Sequence, residues 1–61
     1  MSEIVLIMSL LQKARQQGVS SHKLEMKASR LLTLWSIVGE SRAYRAAFES
    51  FLRELSFNAS P

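Results

Sequence analysis

The chain of 61 residues contains no cysteine, one histidine, one proline and two glycines. Without cysteine, disulfide bonds and thiolate metal ligands are excluded. His22 cannot build a zinc site alone, because such sites need three or four protein ligands. Gly18 and Gly39 are isolated, so the sequence has no glycine-rich loop of the kind that cradles a phosphate. We therefore expect no cofactor and no metal.

Reactive side chains are also scarce. Catalysis needs a nucleophile with a base, or two acids, held together in a pocket. The five acidic residues are all glutamates and are scattered along the chain. His22 stands beside Lys23 at the expected start of a helix, where a solvated side chain is the ordinary interpretation. Because so short a chain also has little room for a cleft, we predict that the protein is not an enzyme.

Long apolar runs are missing as well. The longest, Ile4 to Met8, has five residues, far fewer than the ~20 that a membrane-spanning helix needs. The first residues lack a basic leader and include Glu3, so we expect no signal peptide and a cytoplasmic location. Basic residues follow this apolar run instead of lying opposite it on the helix, which argues against binding to a membrane surface.

Apolar residues nevertheless make up 48% of the chain, and their spacing is helical. Gly18 and Gly39 are suited to the left-handed residue that ends a helix, and Ser20 or Ser21 and then Ser41 can cap the next one. Asn58 and Pro61 are expected to close the last segment. We predict a single domain over residues 1–61 with three helices, near 3–17, 21–38 and 42–57.

Five apolar residues of the second helix follow a 4-3-4-3 spacing, which is typical of helices that pack lengthwise. This stripe spans only about two heptads, too few for a stable coiled coil, so we expect it to face the inside of one subunit. The predicted fold is an all-α three-helix unit, with helices 1 and 2 as an antiparallel hairpin and an amphipathic third helix on its outside. The stripe consists of Leu24, Ala28, Leu31, Trp35 and Val38.

Helices 1 and 2 carry more apolar surface than a three-helix monomer can cover. Consecutive apolar residues in helix 1 point in every direction around its axis, and helix 2 has a second stripe opposite the first. Each large apolar side chain left in water forgoes roughly 1.5–3 kcal/mol. We therefore predict self-association, most simply as a two-fold dimer. The candidate interface residues are Ile4, Ile7, Met8, Leu11, Met26, Leu34 and Ile37.

The formal net charge is +3 and the pI is about 10.0. Residues 13–30 carry five Lys and Arg side chains against Glu25 alone, a local charge of 5 − 1 = +4. This basic segment is a candidate for contacting nucleic acid or an acidic protein, although a solvated helix surface accounts for the same charges. The candidate contacts are Lys13, Arg15, His22, Lys23, Lys27 and Arg30.

Two functions remain open at this stage. The first is a non-enzymatic interaction protein, such as a regulator, adaptor or chaperone, that docks helix to helix with itself or with another protein. The alternative is a small DNA-binding regulator that uses residues 10–30, because the segment from Ala14 to Leu24 resembles a helix-turn-helix motif. Gln17 and Lys27 occupy normally apolar positions of that motif, and an ordinary hairpin turn explains Gly18 equally well.

Overall fold

Three α-helices account for most of the chain. The computed structural model describes residues 2–60, in which α1 spans Glu3–Gln16, α2 spans His22–Val38 and α3 spans Arg42–Ala59. The all-α three-helix class is confirmed, and no strand occurs within residues 2–60. Each observed helix boundary lies within two residues of the position predicted from the sequence.

A serine caps the N-terminus of each helix. The hydroxyl oxygens of Ser2, Ser21 and Ser41 accept hydrogen bonds from backbone N–H groups in the first turn, at 3.2, 3.1 and 3.2 Å. Each cap satisfies one of the N–H groups that a helix start leaves unpaired, and losing a cap typically costs ~1 kcal/mol. Of the two serines considered for α2, Ser21 is the cap, because the hydroxyl of Ser20 bonds to Glu25 instead.

The first helix ends in a Schellman motif at Gly18. The N–H of Gly18 donates to the carbonyl of Arg15 at 3.2 Å, and the N–H of Val19 donates to the carbonyl of Ala14 at 2.9 Å. Gly18 has a φ of +71°, in the left-handed region that glycine enters at little cost. The motif stops α1 and reverses the chain toward α2.

Two tertiary hydrogen bonds show how the helices are ordered. The hydroxyl of Tyr44 donates to Glu3 at 2.9 Å, which joins the first turns of α1 and α3. The side-chain amide of Asn58 donates to Ser21 at 2.9 Å, which joins the end of α3 to the start of α2. The helices therefore run up, down and up in a body of 34 × 19 × 18 Å. Asn58 was expected to end α3 but lies inside it, because its side-chain amide bonds to Ser21, the cap residue of α2, and not to its own backbone. Pro61, the other residue expected to end this segment, lies outside the described residues.

The core lies between the three helices. α2 packs against both neighbours, and more extensively against α3 than against α1. The two largest buried side chains, Tyr44 and Phe51, both belong to α3, so this helix contributes its apolar face to the core, as its amphipathic pattern predicted. The buried apolar residues are Ile7, Leu11, Ala14, Leu24, Ala28, Leu31, Tyr44 and Phe51.

The apolar stripe predicted on α2 enters the core over its first three positions. Leu24, Ala28 and Leu31 are fully buried, Trp35 is half-buried, and Val38 is 50% exposed. Val38 is the last residue of α2, and its position at the end of the bundle leaves half of its surface exposed. The inner part of the stripe is confirmed as core, and its last position is not.

Two residues predicted at an interface between subunits lie inside one subunit. Ile7 is fully buried and Leu11 is 5% exposed, and together with Ala14 they follow the i, i+4, i+7 spacing of one helix face. A side chain buried in this way is not available to a second subunit, so the prediction is corrected for both. The run from Ile4 to Met8 contains no polar residue of its own to mark its inner side. The spacing to Leu11 and Ala14 marks Ile7, and packing against the other helices makes this the buried face.

Candidate interaction surfaces

Six large apolar side chains remain exposed at one end of the bundle. Because the helices run up, down and up, the first half of α1 and the last residues of α2 meet at that end. Ile37 is 74% exposed, the largest value in this group. We call this surface the apolar end, and it consists of Ile4, Val5, Leu6, Met8, Ile37 and Val38.

The structure separates the residues that the sequence predicted as one interface. Ile4, Met8 and Ile37 belong to the apolar end. Met26 is 59% exposed but stands eleven residues before Ile37 on α2, about 16 Å along the helix axis. Leu34 is half-buried on α2 and lines the groove between α2 and α3. Three of the seven predicted residues are therefore exposed at the same end of the bundle.

Charges around the apolar end cancel. Glu3 and Glu40 stand against Arg42 and Arg45, a sum of 2 − 2 = 0. Arg45 pairs with Glu40 at 2.8 Å, and Glu3 accepts the hydrogen bond from Tyr44. Burial, together with the hydrogen bond to Glu3, raises the pKa of Tyr44 to about 12, so its hydroxyl stays a neutral donor near neutral pH. The apolar end therefore presents exposed apolar side chains among charges that sum to zero.

The opposite end, at Gly18, holds a bidentate ion pair. Nε of Arg15 donates to Oε2 of Glu25 at 2.8 Å, Nη2 donates to Oε1, and the hydroxyl of Ser20 donates to Oε2 at 2.6 Å. The hydrogen bonds from Arg15 and Ser20 lower the pKa of Glu25 to about 2. Arg15 was a candidate contact for an acidic partner, and it is already engaged by an acid of its own chain.

Acid should weaken the fold through Glu25. Its pKa is about 2 in the folded protein against an ordinary value of 4.5, so folding favours the ionised carboxylate. That stabilisation is complete above about pH 4.5 and is lost as the pH falls toward 2. We expect the free energy of unfolding of Glu25→Gln, measured by urea titration, to vary less across this window than that of the wild type. Glu49→Gln, at an exposed position, is the control, and identical pH profiles for Glu25→Gln and wild type would contradict the assignment.

A carboxylate from α3 lies beside two of the predicted basic residues. Oε1 of Glu54 is 3.3 Å from Nζ of Lys27 and 3.7 Å from Nζ of Lys23. The sequence does not reveal this contact, because Glu54 follows Lys27 by 27 positions. It lowers the local charge from +4 to 5 − 2 = +3. Within residues 2–60, Lys13, His22 and Arg30 have no acidic side chain within ion-pair distance.

A groove of about 460 Å³ runs between α2 and α3. Its α3 wall is made of small residues, with Ala43, Ala47 and Ser50 at 4-3 spacing, and a second depression of about 630 Å³ continues from it across the outer face of α2. The sequence contains this 4-3 spacing of small residues, but none of them was predicted as a site residue, because the larger apolar residues beside them carry the stronger signal of burial. We call this surface the α2–α3 groove, lined by Lys27, Arg30, Leu34, Ala43, Ala46, Ala47 and Ser50.

The described part of the chain, residues 2–60, brings no three His, Asp or Glu side chains close enough together to hold a metal ion. Each helix in that range is too short or too polar to cross a membrane. No protein-family model, curated protein or solved structure matches this chain.

Proposed function

We propose that this protein is a non-enzymatic helical interaction protein, in the manner of a small regulator, adaptor or chaperone, and that it acts as a homo-oligomer. The observation that carries the proposal is the apolar end. It collects six exposed large apolar side chains at one end of the bundle, where Glu3, Glu40, Arg42 and Arg45 sum to zero charge.

Energetics supports burial of this surface. A chain of 61 residues covers a small share of its own surface and is marginally stable alone. Moving a fully exposed large apolar side chain out of water contributes roughly 1.5–3 kcal/mol, and these side chains are 36–74% exposed. Covering several of them therefore adds a few kcal/mol, comparable to the ~3–5 kcal/mol available to so small a domain. Helix-to-helix docking is the mode of contact that an all-helical surface offers.

Charge favours a second copy as the occupant of the apolar end. Two Gly18 ends would each bring a local charge of +3 and repel one another, whereas two apolar ends meet without net charge. This distribution of charge favours a two-fold dimer through the apolar end.

Sedimentation equilibrium of the full chain tests the proposal. At micromolar concentration we expect the mass of a dimer or a higher oligomer. The association should persist at high salt, because burial of apolar surface is not screened by ions. A mass of 6.9 kDa over the whole concentration range would contradict self-association.

The DNA-binding alternative has weaker support. A recognition helix begins at Ser21 in that hypothesis and presents Lys23, Lys27 and Arg30 to the duplex. Lys23 and Lys27 both lie against Glu54, and a carboxylate beside the contact residues repels phosphate. The side chain of Lys27 is only 27% exposed, so it points toward α3 more than toward solvent.

A further inference from the structure

The α2–α3 groove joins a wall of small residues to a cationic rim. We propose that this groove binds an acidic amphipathic helix of a different protein. The inference rests on the proposed function and deepens it by giving the chemistry of the partner: carboxylates on the side that faces α2, and small or medium apolar residues on the side that faces α3.

The shape of the groove fits a helix. Ala43, Ala47 and Ser50 line α3 at the 4-3 spacing by which helices pack along one another. Small side chains at such positions let a second helix approach closely, with its own small or medium apolar residues lying in the groove. Leu34 supplies an apolar contact on the opposite wall. An apolar stripe on the partner helix would be covered from both sides.

The charge of the rim selects acidic partners. Lys23, Lys27 and Arg30 border the groove or the depression that continues it, and Glu54 is the acid that faces them, a balance of 3 − 1 = +2. Arg30 has no acidic side chain within ion-pair distance among residues 2–60. Its guanidinium is therefore ready for a bidentate bond to a carboxylate.

A second copy of the chain does not supply that acid. Four of its five glutamates are engaged within the subunit: Glu3 by Tyr44, Glu25 by Arg15, Glu40 by Arg45, and Glu54 by two lysines. The fifth, Glu49, is exposed on α3 without another acid near it in sequence on the same helix face. A helix with carboxylates repeated along one side must come from another protein.

The groove suits a helix better than it suits a nucleic acid. Nucleic-acid grooves in proteins combine cations with hydrogen-bond donors or stacking aromatic rings. Here three of the four residues in the wall opposite the cations are alanines, which have neither, and only Ser50 adds a hydroxyl. Glu54 beside the lysines would also repel the phosphates.

The test uses a fluorescent synthetic peptide of about 20 residues, long enough to form a helix, with Leu and Ala along one face and Glu at i and i+3 beside it. This spacing matches Lys27 and Arg30 on α2. A second peptide has Gln in place of every Glu. By fluorescence anisotropy with the full-length protein, we expect micromolar binding of the Glu peptide and binding of the Gln peptide that is weaker by about tenfold or more.

Amino-acid substitutions test whether the Glu peptide binds in the groove. Arg30→Glu should weaken binding of the Glu peptide by about tenfold or more, because it lowers the rim charge from +2 to 2 − 2 = 0 and puts a carboxylate where the peptide's own carboxylates would bind. Ala46→Gln should weaken binding of the peptide by narrowing the groove. Both positions are exposed, and the new side chains favour helix. Lys13→Glu changes the net charge by the same amount as Arg30→Glu at an exposed position of α1, and we expect it to leave binding within about threefold of the wild type.

Three results would overturn the inference. These are equal binding of the Glu and Gln peptides, equal weakening by Arg30→Glu and Lys13→Glu, and binding of a DNA duplex that requires Arg30 while the Glu peptide does not bind. If the protein self-associates but does not bind the Glu peptide, the proposal for the groove is overturned and the proposed function stands. A protein that binds the Glu peptide but sediments as a monomer supports the groove and contradicts self-association.

Discussion

Replacing Phe51 with alanine is expected to unfold most of the protein. The Phe51 side chain is fully buried and is one of the two largest in the core. Removing such a ring leaves a cavity and typically costs 3–5 kcal/mol, with about 4 kcal/mol as a central value. A domain of this length rarely has more than ~3–5 kcal/mol of stability. We expect the helical signal in far-UV circular dichroism to fall to that of a largely unfolded chain.

Phe57→Ala is the matched control, because it removes the same ring from the same helix. Phe57 is 77% exposed, and surface substitutions usually change stability by no more than ~0.5 kcal/mol. Thermal and urea unfolding should therefore separate the two variants clearly. If both variants lost stability equally, the packing of α3 through Phe51 would be refuted.

Replacing Ile37 with glutamate is expected to separate the subunits without unfolding them. Ile37 is the most exposed apolar residue of the apolar end, so a single subunit tolerates a charge there. Glutamate is also a better helix former than isoleucine. In a two-fold dimer both copies lose an isoleucine contact, about 3–6 kcal/mol in total at ~1.5–3 kcal/mol each. This corresponds to a hundredfold or greater rise in the dimer Kd, at about tenfold per 1.4 kcal/mol.

The control for this variant is Gln12→Glu. It adds the same charge at an exposed position of α1 outside the apolar end, so the dimer should persist in sedimentation equilibrium. Circular dichroism of Ile37→Glu should retain the helical signal of the wild type. A dimer that survives Ile37→Glu unchanged would exclude the apolar end as the interface, even if the wild type self-associates.

The ends of the helices could be predicted because the signals that set them are local in the sequence. The residues that stop and start helices act through their own backbone conformation or through the next turn, as Gly18 does at the end of α1 and as Ser21 and Ser41 do at the starts of α2 and α3. These signals are legible one segment at a time, so the helix boundaries came within two residues. Asn58 misled the prediction because its partner, Ser21, is 37 positions away.

The candidate surfaces were harder to predict, since they depend on which side of each helix is covered. In the run from Ile4 to Met8 every side chain is apolar, so the run alone does not distinguish the buried Ile7 from exposed neighbours such as Val5. The spacing to Leu11 and Ala14 indicates one stripe, but whether that stripe faces the core or a second subunit depends on the packing of the other helices. The basic segment also looked more strongly charged than it is, because Glu54 comes from another helix. Neither fact is encoded in a local pattern.

The sequence by itself determined the three helices, their caps, the inner part of the apolar stripe on α2 and the excess of apolar residues over what one subunit can bury. Tertiary structure alone decided which of those residues stay exposed, which cations are neutralised, and that small residues of α3 face the cations of α2 across a groove. The physical reason is the separation along the chain over which each kind of interaction acts. Helix signals act within a turn or two of the chain, whereas exposure and charge pairing depend on side chains that only folding brings together.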